Sequence, residues 1–276
     1  MRASTRASPI RYLAAALAAA VVLALLYVFF VRTQIGQTVD QLAYDGADFG
    51  WRSVTPFTRR LLDALPMISG VVGGLLTVVI AVVRRNWLTL LVALCAAVAA
   101  AATTQILKYV VFDRPDLGVE GFADSSFPSG HTTVAAASAL AVFLVSSPRA
   151  RPAVAGWGAA FTVLAGVSTL ANQWHRPSDV IAALLVVAVW GCLVGAVLAV
   201  VRPVALTGRR TAGRGWLWWI VVPFLVVTAV AFVITYLGAN SESPDTVIAY
   251  IGGATAIIAA GFLLALGAIR TFARLP

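Results

Sequence analysis

Eight stretches of the chain are apolar over lengths that suit a bilayer crossing, about 17–25 residues each. They cover residues 11–31, 62–83, 87–107, 131–147, 153–173, 180–201, 216–238 and 247–269, and charged or turn-forming residues bound each of them. The pattern predicts helices throughout and no sheet, giving an all-α polytopic membrane helical bundle with about eight transmembrane helices. Residues 131–147 and 153–173 are short or rich in Gly, Ala and Ser. Small side chains let helices approach closely, so both are expected inside the bundle. The long connection 32–61 contains "TVDQLAYDGADFGWRSV", which mixes apolar and acidic positions. It reads either as an amphipathic helix on the membrane, shaping a lipid entrance, or as a plain surface connector.

Composition agrees with a membrane solvent. The chain is 61% hydrophobic and 11% charged, against roughly a quarter charged in soluble domains. Its net charge of +9 does not form a basic stripe, so no nucleic-acid partner is implied. The basic residues sit in clusters between apolar runs and act as topology signals. With a cytoplasmic N-terminus, the inner segments carry Arg2, Arg6, Arg11, Arg84, Arg85, Arg149, Arg151, Arg202, Arg209, Arg210, Arg214, Arg270 and Arg274, most of the 20 basic residues. All 11 acids then fall outside, among them Asp40, Asp45, Asp113, Asp116, Asp179 and Asp245. Both termini are therefore expected to be cytoplasmic, in a multi-pass protein of the cell membrane. "WLWW" at 216–219 suits an aromatic belt at the inner interface.

The first apolar core runs about 20 residues, longer than the 7–15 of a secretion signal, and no small-residue cleavage site follows; it is expected to be an uncleaved anchor. Cys95 and Cys192 lie within spans, where Cys behaves as a small hydrophobe, and predict neither disulfide nor metal framework.

Only two histidines occur. His131 opens the fourth span in "SSFPSGHTTVAAASAL", and His175 follows the fifth in "ANQWHRPSDV". An antiparallel helix pair with a short loop brings both to one face. The same face collects Lys108, Arg114 and Asp179, the last four residues after His175 and one helical turn on. Paired imidazoles, cations and a carboxylate at a membrane surface point to a phosphate site. The Pro-Ser-Gly-His turn offers unpaired N–H groups and a helix dipole to an anion, with Gly130 permitting approach and Ser129 as cap or donor. Lys108 and Arg114 neutralise phosphoryl oxygens. One imidazole can attack phosphorus while the other protonates the leaving oxygen. Asp179 orients His175, as the acid of a Ser-His-Asp triad does. The loop acids Asp113 and Asp116 are expected to pair with Arg114.

The order Lys, Arg-Pro, Pro-Ser-Gly-His, then His with Asp four residues on resembles the three-part signature of the type 2 phosphatidic acid phosphatase superfamily. The resemblance spans Lys108 to Asp179. It implies a six-helix phosphatase core over residues 1–201, with active-site segments 108–131 and 168–179, and leaves 202–276 as an accessory transmembrane hairpin for packing or dimerisation. It implies His175 as nucleophile through a phosphohistidine, Asp179 as its orienting partner and His131 as the acid. Lys108, Arg114, Ser129 and Gly130 match phosphate-binding positions. The implied reaction is metal-independent hydrolysis of a membrane lipid phosphate or diphosphate at the extracytoplasmic face, with no cofactor. Prenyl diphosphate, phosphatidic acid and phosphatidylglycerol phosphate all fit.

Two departures stand out. "KYVVFDRP" has five residues between Lys and Arg-Pro where the family has six. On a continuous helix this turns Arg114 about 120° away from Lys108, so either the helix ends before Arg114 or Lys108 is displaced. The family's Ser-Arg is replaced by Ser168-Thr169. Thr169 can hydrogen-bond phosphate without neutralising it, and Arg176, Arg59 or Arg60 is the candidate replacement charge. A phosphotransferase with the same site and a non-enzymatic transporter or scaffold are the alternative functions. A metal site on His131, His175 and Asp179 lacks further ligands.

Overall fold

A computed structural model describes residues 9–48, 56–121, 127–201 and 215–273, with the backbone alone for 56–63, 65 and 66. The described residues form α1 (Ile10–Leu26), α2 (Gln34–Asp45), α3 (Pro56–Val83), α4 (Trp87–Ile106), α5 (Gly130–Val145), α6 (Arg151–Ala171), α7 (Pro177–Val201), α8 (Trp218–Gly238) and α9 (Thr246–Phe272), and no strand among them. Helices α1 and α4 each end in a wide π-helical turn, Tyr27–Val31 and Leu107–Val111. Such turns recur at functional sites because they re-aim the residues that follow.

Among the described residues, six helices are long and apolar enough to cross a bilayer: Ile10–Val31, Trp87–Val111, Arg151–Ala171, Pro177–Val201, Gly215–Gly238 and Thr246–Phe272. The other two expected spans are the shorter apolar segments Met67–Val83 and Gly130–Val145. At 16 residues, α5 is only about 24 Å long at 1.5 Å per residue, short of the roughly 30 Å hydrocarbon core. It is enclosed by α3, α4, α6 and α7, where close-packed Ala135, Ala136, Ala137 and Ala141 are buried. The perimeter is apolar instead: Leu17, Leu25, Leu75, Leu91, Val98, Val226 and Val230 are exposed. In water such a surface would be a large sticky patch; against acyl chains it is matched.

Helix α7 is apolar on every face, which suits only a core position. It packs on α1, α4, α5 and α9. Gly195 gives room to α1, since a Cβ there would lie 2.4 Å from the Tyr12 ring.

The two helices described within the 202–276 hairpin, α8 and α9, both pack against other helices. Helix α9 packs on α6 and α7 as well as on α8, and its Ile257 is fully buried with Leu170 and Val180. Helix α8 stays at the perimeter, with Val221, Ala231 and Thr235 as its buried residues.

The connection 32–61 contains a helix, as the first reading of it expects, but α2 lies on protein rather than on lipid. Val39, Leu42 and Ala43 pack with Ala239 and Ala249. Gln37, Asp40 and Gln41 are buried beside them. Gly253 sits where α9, α2 and α7 meet: a Cβ there would stand 2.5 Å from Pro177 Cγ and 3.3 Å from Ala43 Cβ.

Gly253→Ala therefore overpacks this junction and is expected to cost about 1–3 kcal/mol, lowering the thermal midpoint in detergent. Gly74→Ala, whose Cβ meets nothing within 4 Å, is the control and should leave the midpoint unchanged or slightly raised.

Candidate active site

The start of α5 is built as a capped helix end. Ser129 Oγ accepts from the Thr132 N–H at 3.3 Å, satisfying one of the donors that have no acceptor within the helix. The Ser129 N–H donates to the Asp179 carbonyl at 2.9 Å, tying this turn to the first turn of α7. Thr133 Oγ1 donates to the Ser129 carbonyl at 2.8 Å and shares a 2.9 Å hydrogen bond with Thr104 on α4. Gly130 and His131 then open the helix, and a Cβ at Gly130 would meet only the Gln105 amide, at 3.5 Å.

The second histidine is carried on a turn between α6 and α7. Helix α6 closes with Trp174 N–H donating to Thr169 O at 2.9 Å and Gln173 N–H to Leu170 O at 2.9 Å. Gln173 is left-handed at φ 55°. This is the Schellman closure, which usually carries Gly at that position. The His175 N–H also reaches Thr169 O, at 3.2 Å. Two residues on, Pro177 begins α7, as its fixed φ and missing N–H favour.

The two histidines meet at this end of the bundle, their ring centres 6.0 Å apart. Trp174 flanks His131 at 5.4 Å. His131 is exposed, whereas His175 is 7% exposed. Asp179 is fully buried, with Oδ2 3.4 Å from His175 Nδ1 and Oδ1 3.5 Å from an Arg114 terminal nitrogen. Oδ2 also accepts from the Arg176 N–H at 3.0 Å. With Nδ1 facing the carboxylate, Nε2 is the ring nitrogen left for chemistry.

The shortened Lys-to-Arg spacing is resolved by ending the helix. The wide turn holding Lys108 stops at Val111 and Phe112 is extended, so Arg114 leaves the helix and its side chain turns inward, 4% exposed. Burial pulls its guanidinium below the ordinary value. Lys108 is half-buried, with Nζ over the Tyr109 ring at 5.4 Å, and its charge is felt at His131.

Several expected contacts differ. Asp113 pairs with Arg32 at 3.3 Å, and its backbone is held by the Tyr27 hydroxyl, which donates to Asp113 O at 2.8 Å. Asp116 accepts from the Gly118 N–H at 2.9 Å. Arg114 turns to Asp179 instead of to either. Thr169 is fully buried, and its hydroxyl donates to Gly166 O at 2.7 Å. The Arg176 guanidinium turns to Gln41 Oε1, donating from Nε at 2.9 Å and from a terminal nitrogen at 2.7 Å, and to Gly121 O at 2.8 Å. Arg59 and Arg60 lie outside the residues whose side chains are described. Among the described residues, no three His, Cys, Asp or Glu side chains group so as to hold a metal ion.

Helix α2 supplies the residues that sequence reasoning missed. Asp40 accepts from the Ser178 N–H at 3.1 Å and from its hydroxyl. Tyr44 donates to the Gln173 carbonyl. Gln37, Asp40, Gln41 and Tyr44 recur at three, four and seven residues, one stripe of a helix; that polar stripe is the signal a search for an apolar face passes over. Burial, and then the charge of Asp179, push the Asp40 carboxyl up to about 7.

Residues 86–203 match the family model described as PAP2 superfamily. This is the superfamily that the Lys108-to-Asp179 signature resembles, and the matched segment contains the whole of that signature. Its members are phosphatases, which supports a phosphoric-ester hydrolase activity. No curated protein and no solved structure matches the chain.

Two outcomes follow from the local geometry. Gln173→Gly relieves a left-handed conformation and should stabilise the chain by about 1 kcal/mol, read as a raised unfolding midpoint. Asp40 binds its proton more tightly when folded than at its ordinary 3.8, so the bound proton's stabilisation is full below pH about 4 and is lost as pH rises to about 7. Asp40→Asn lacks this loss, and its midpoint relative to wild type should climb over that range. Parallel curves would show that Asp40 does not titrate there.

Proposed function

We propose, from the PAP2 superfamily match and the paired histidines within it, that this protein hydrolyses a lipid phosphate or diphosphate through a phosphohistidine. The observation that carries the reading is the pair itself: the only two histidines of the chain share one site, and the buried one is backed by a buried carboxylate. His175 Nε2 attacks phosphorus, and the P–O bond to the leaving group breaks as His131 gives that oxygen a proton. Water then attacks the phosphohistidine, the P–N bond breaks, and His131 takes the proton from the water. The imidazolium formed on His175 is stabilised by Asp179. Arg114, Lys108 and the N–H groups opening α5 at Gly130 and His131 meet the phosphoryl oxygens, with Ser129 shaping that turn. Thr169 and Arg176 serve in this reading as supports of the histidine turn, because their donors are engaged by Gly166, Gln41 and Gly121.

A membrane lipid is favoured over a soluble ester because the site lies at the end of apolar helices beside exposed Tyr109, Val110 and Trp174. The charge partition along the sequence favours the extracytoplasmic face and cytoplasmic termini. Prenyl diphosphate, phosphatidic acid and phosphatidylglycerol phosphate are the classes to assay.

Purified wild type, with chelator present, is expected to release inorganic phosphate from at least one of these lipids. His175→Ala should lose at least about 1,000-fold in kcat and His131→Ala about 100- to 10,000-fold, the span of general acid catalysis. Full activity of His175→Ala, or folded wild type inert on every lipid, would sink the reading.

A further inference from the structure

We propose that α2 is a working part of the site: Asp40, Gln41 and Tyr44 are positioning residues that set the 173–179 turn and, through it, the His175–Asp179 pair. None of the three lies in the segment that matches the family, and their bonds reach that turn on both sides of His175. Tyr44 donates to the carbonyl of Gln173, the left-handed residue two before the histidine. Gln41 Oε1 receives both Nε and a terminal nitrogen of Arg176, the residue just after it. Asp40 takes the N–H and hydroxyl of Ser178, the residue before Asp179.

The turn needs such support. Between the end of α6 and the start of α7, Trp174 and His175 direct their N–H groups back to a single carbonyl, that of Thr169. The supporting bonds are shielded from water, since Asp40, Gln41, Arg176 and Ser178 are all buried. A hydrogen bond inside protein is electrostatically stronger than in water, and leaving a buried partner unmet is costly.

Helix α2 is itself fixed. The Gln37 amide donates to Val31 O at 2.9 Å and Pro115 O at 3.0 Å, so one fully buried side chain joins the end of α1 to the Arg-Pro loop. At the other end, a Cβ on Gly46 would stand 1.9 Å from the Thr246 carbonyl at the start of α9. Arg176 closes the frame through its bond to Gly121 O, beyond Arg114 in the same loop. A mere connector would present this polar stripe to solvent; here it faces the turn that carries the nucleophile candidate.

The test has two arms, of which only the kinetic one rests on the phosphatase reading. In the first, kcat and KM are measured for full-length wild type, Gln41→Ala, Asp40→Ala, Asp40→Asn and Tyr44→Phe on whichever lipid phosphate the wild type hydrolyses. Misplacement by about 1 Å can cost about 100-fold. Gln41→Ala and Asp40→Ala should therefore lose about 10- to 100-fold in kcat with KM changed less than about threefold, and Asp40→Asn, which keeps an acceptor for the Ser178 N–H, should recover most of the loss.

In the second arm, His131→Gln leaves a single histidine, and nitrogen-15 NMR reads the tautomer of His175. One Nδ1–H tautomer is expected in that background and an averaged signal once Gln41→Ala is added. Tyr44→Phe deletes a single hydroxyl with little volume change, and serves both arms if the alanine variants fail to fold. Its kcat should fall several-fold and its tautomer signal should broaden. Wild-type kcat together with an unchanged tautomer in Gln41→Ala or Tyr44→Phe overturns the proposal. So does an Asp40→Asn variant no better than Asp40→Ala. A phosphatase-inactive wild type that still shows the tautomer change refutes the reaction while upholding the positioning role.

Discussion

One carboxylate that water does not reach organises this end of the bundle. Asp179 is fully buried, and an isolated charge there would be untenable; removing a single partner from a buried ion pair costs about 3–5 kcal/mol. Its partners come from separate stretches of chain: the Arg114 guanidinium from the loop after α4, and the His175 ring and Arg176 N–H from the turn after α6. Its own carbonyl takes the Ser129 N–H at the start of α5. Satisfying this residue therefore fixes the relative positions of three segments, and these are the segments that hold the two histidines and the arginine. The carboxylate also sits in the first turn of α7, where the helix dipole favours a negative charge.

The second buried acid is accommodated differently. Burial works against the ionisation of Asp40, and the nearby charge of Asp179 opposes it as well. The hydrogen bonds from Ser178 and the charge of Arg176 pull the other way. Arg114 faces Asp179 directly, while the Arg176 guanidinium donates to the neutral Gln41 across the gap to α2. In the proposed reaction Asp179, ion-paired with Arg114, is the carboxylate that steadies an imidazolium on His175, while Asp40 serves the turn through Ser178.

Much of this was legible in the sequence, because the rules involved are local or sharply patterned. Apolar run lengths gave the helices, and one short loop between antiparallel neighbours suffices to bring His131 and His175 together. The Pro-Ser-Gly-His turn announces its own helix start. What escaped was long-range and polar. Asp40 and Gln41 lie more than a hundred residues from Ser178 and Arg176, and no periodicity rule pairs a buried acid with a distant helix start. The seating of α8 and α9 meets the same limit: they carry no motif, and Gly253 and Ile257 act by shape alone, which is the least readable property of an apolar helix. Arg114 was ambiguous for a similar reason: whether a helix ends at Val111 or continues depends on a wide turn that propensities do not mark.

The absent Ser-Arg arginine has a structural consequence larger than one lost charge. Position 169 is completely enclosed, with its hydroxyl spent on Gly166 O and its carbonyl on two N–H groups of the histidine turn. In the proposed reaction residue 169 therefore shapes the turn that carries His175 and does not meet the phosphate. Arg176, the nearest cation in sequence, is spent on the same purpose through Gln41 and Gly121. In the proposed reaction the phosphate's charge is then met from one side, by Arg114, Lys108 and the start of α5. Fewer charged contacts mean less affinity drawn from the head group, and a lipid held by its own partition into the bilayer is the kind of substrate that can spare them. A lipid thus suits both the few cations of the proposed site and the apolar helices that surround it.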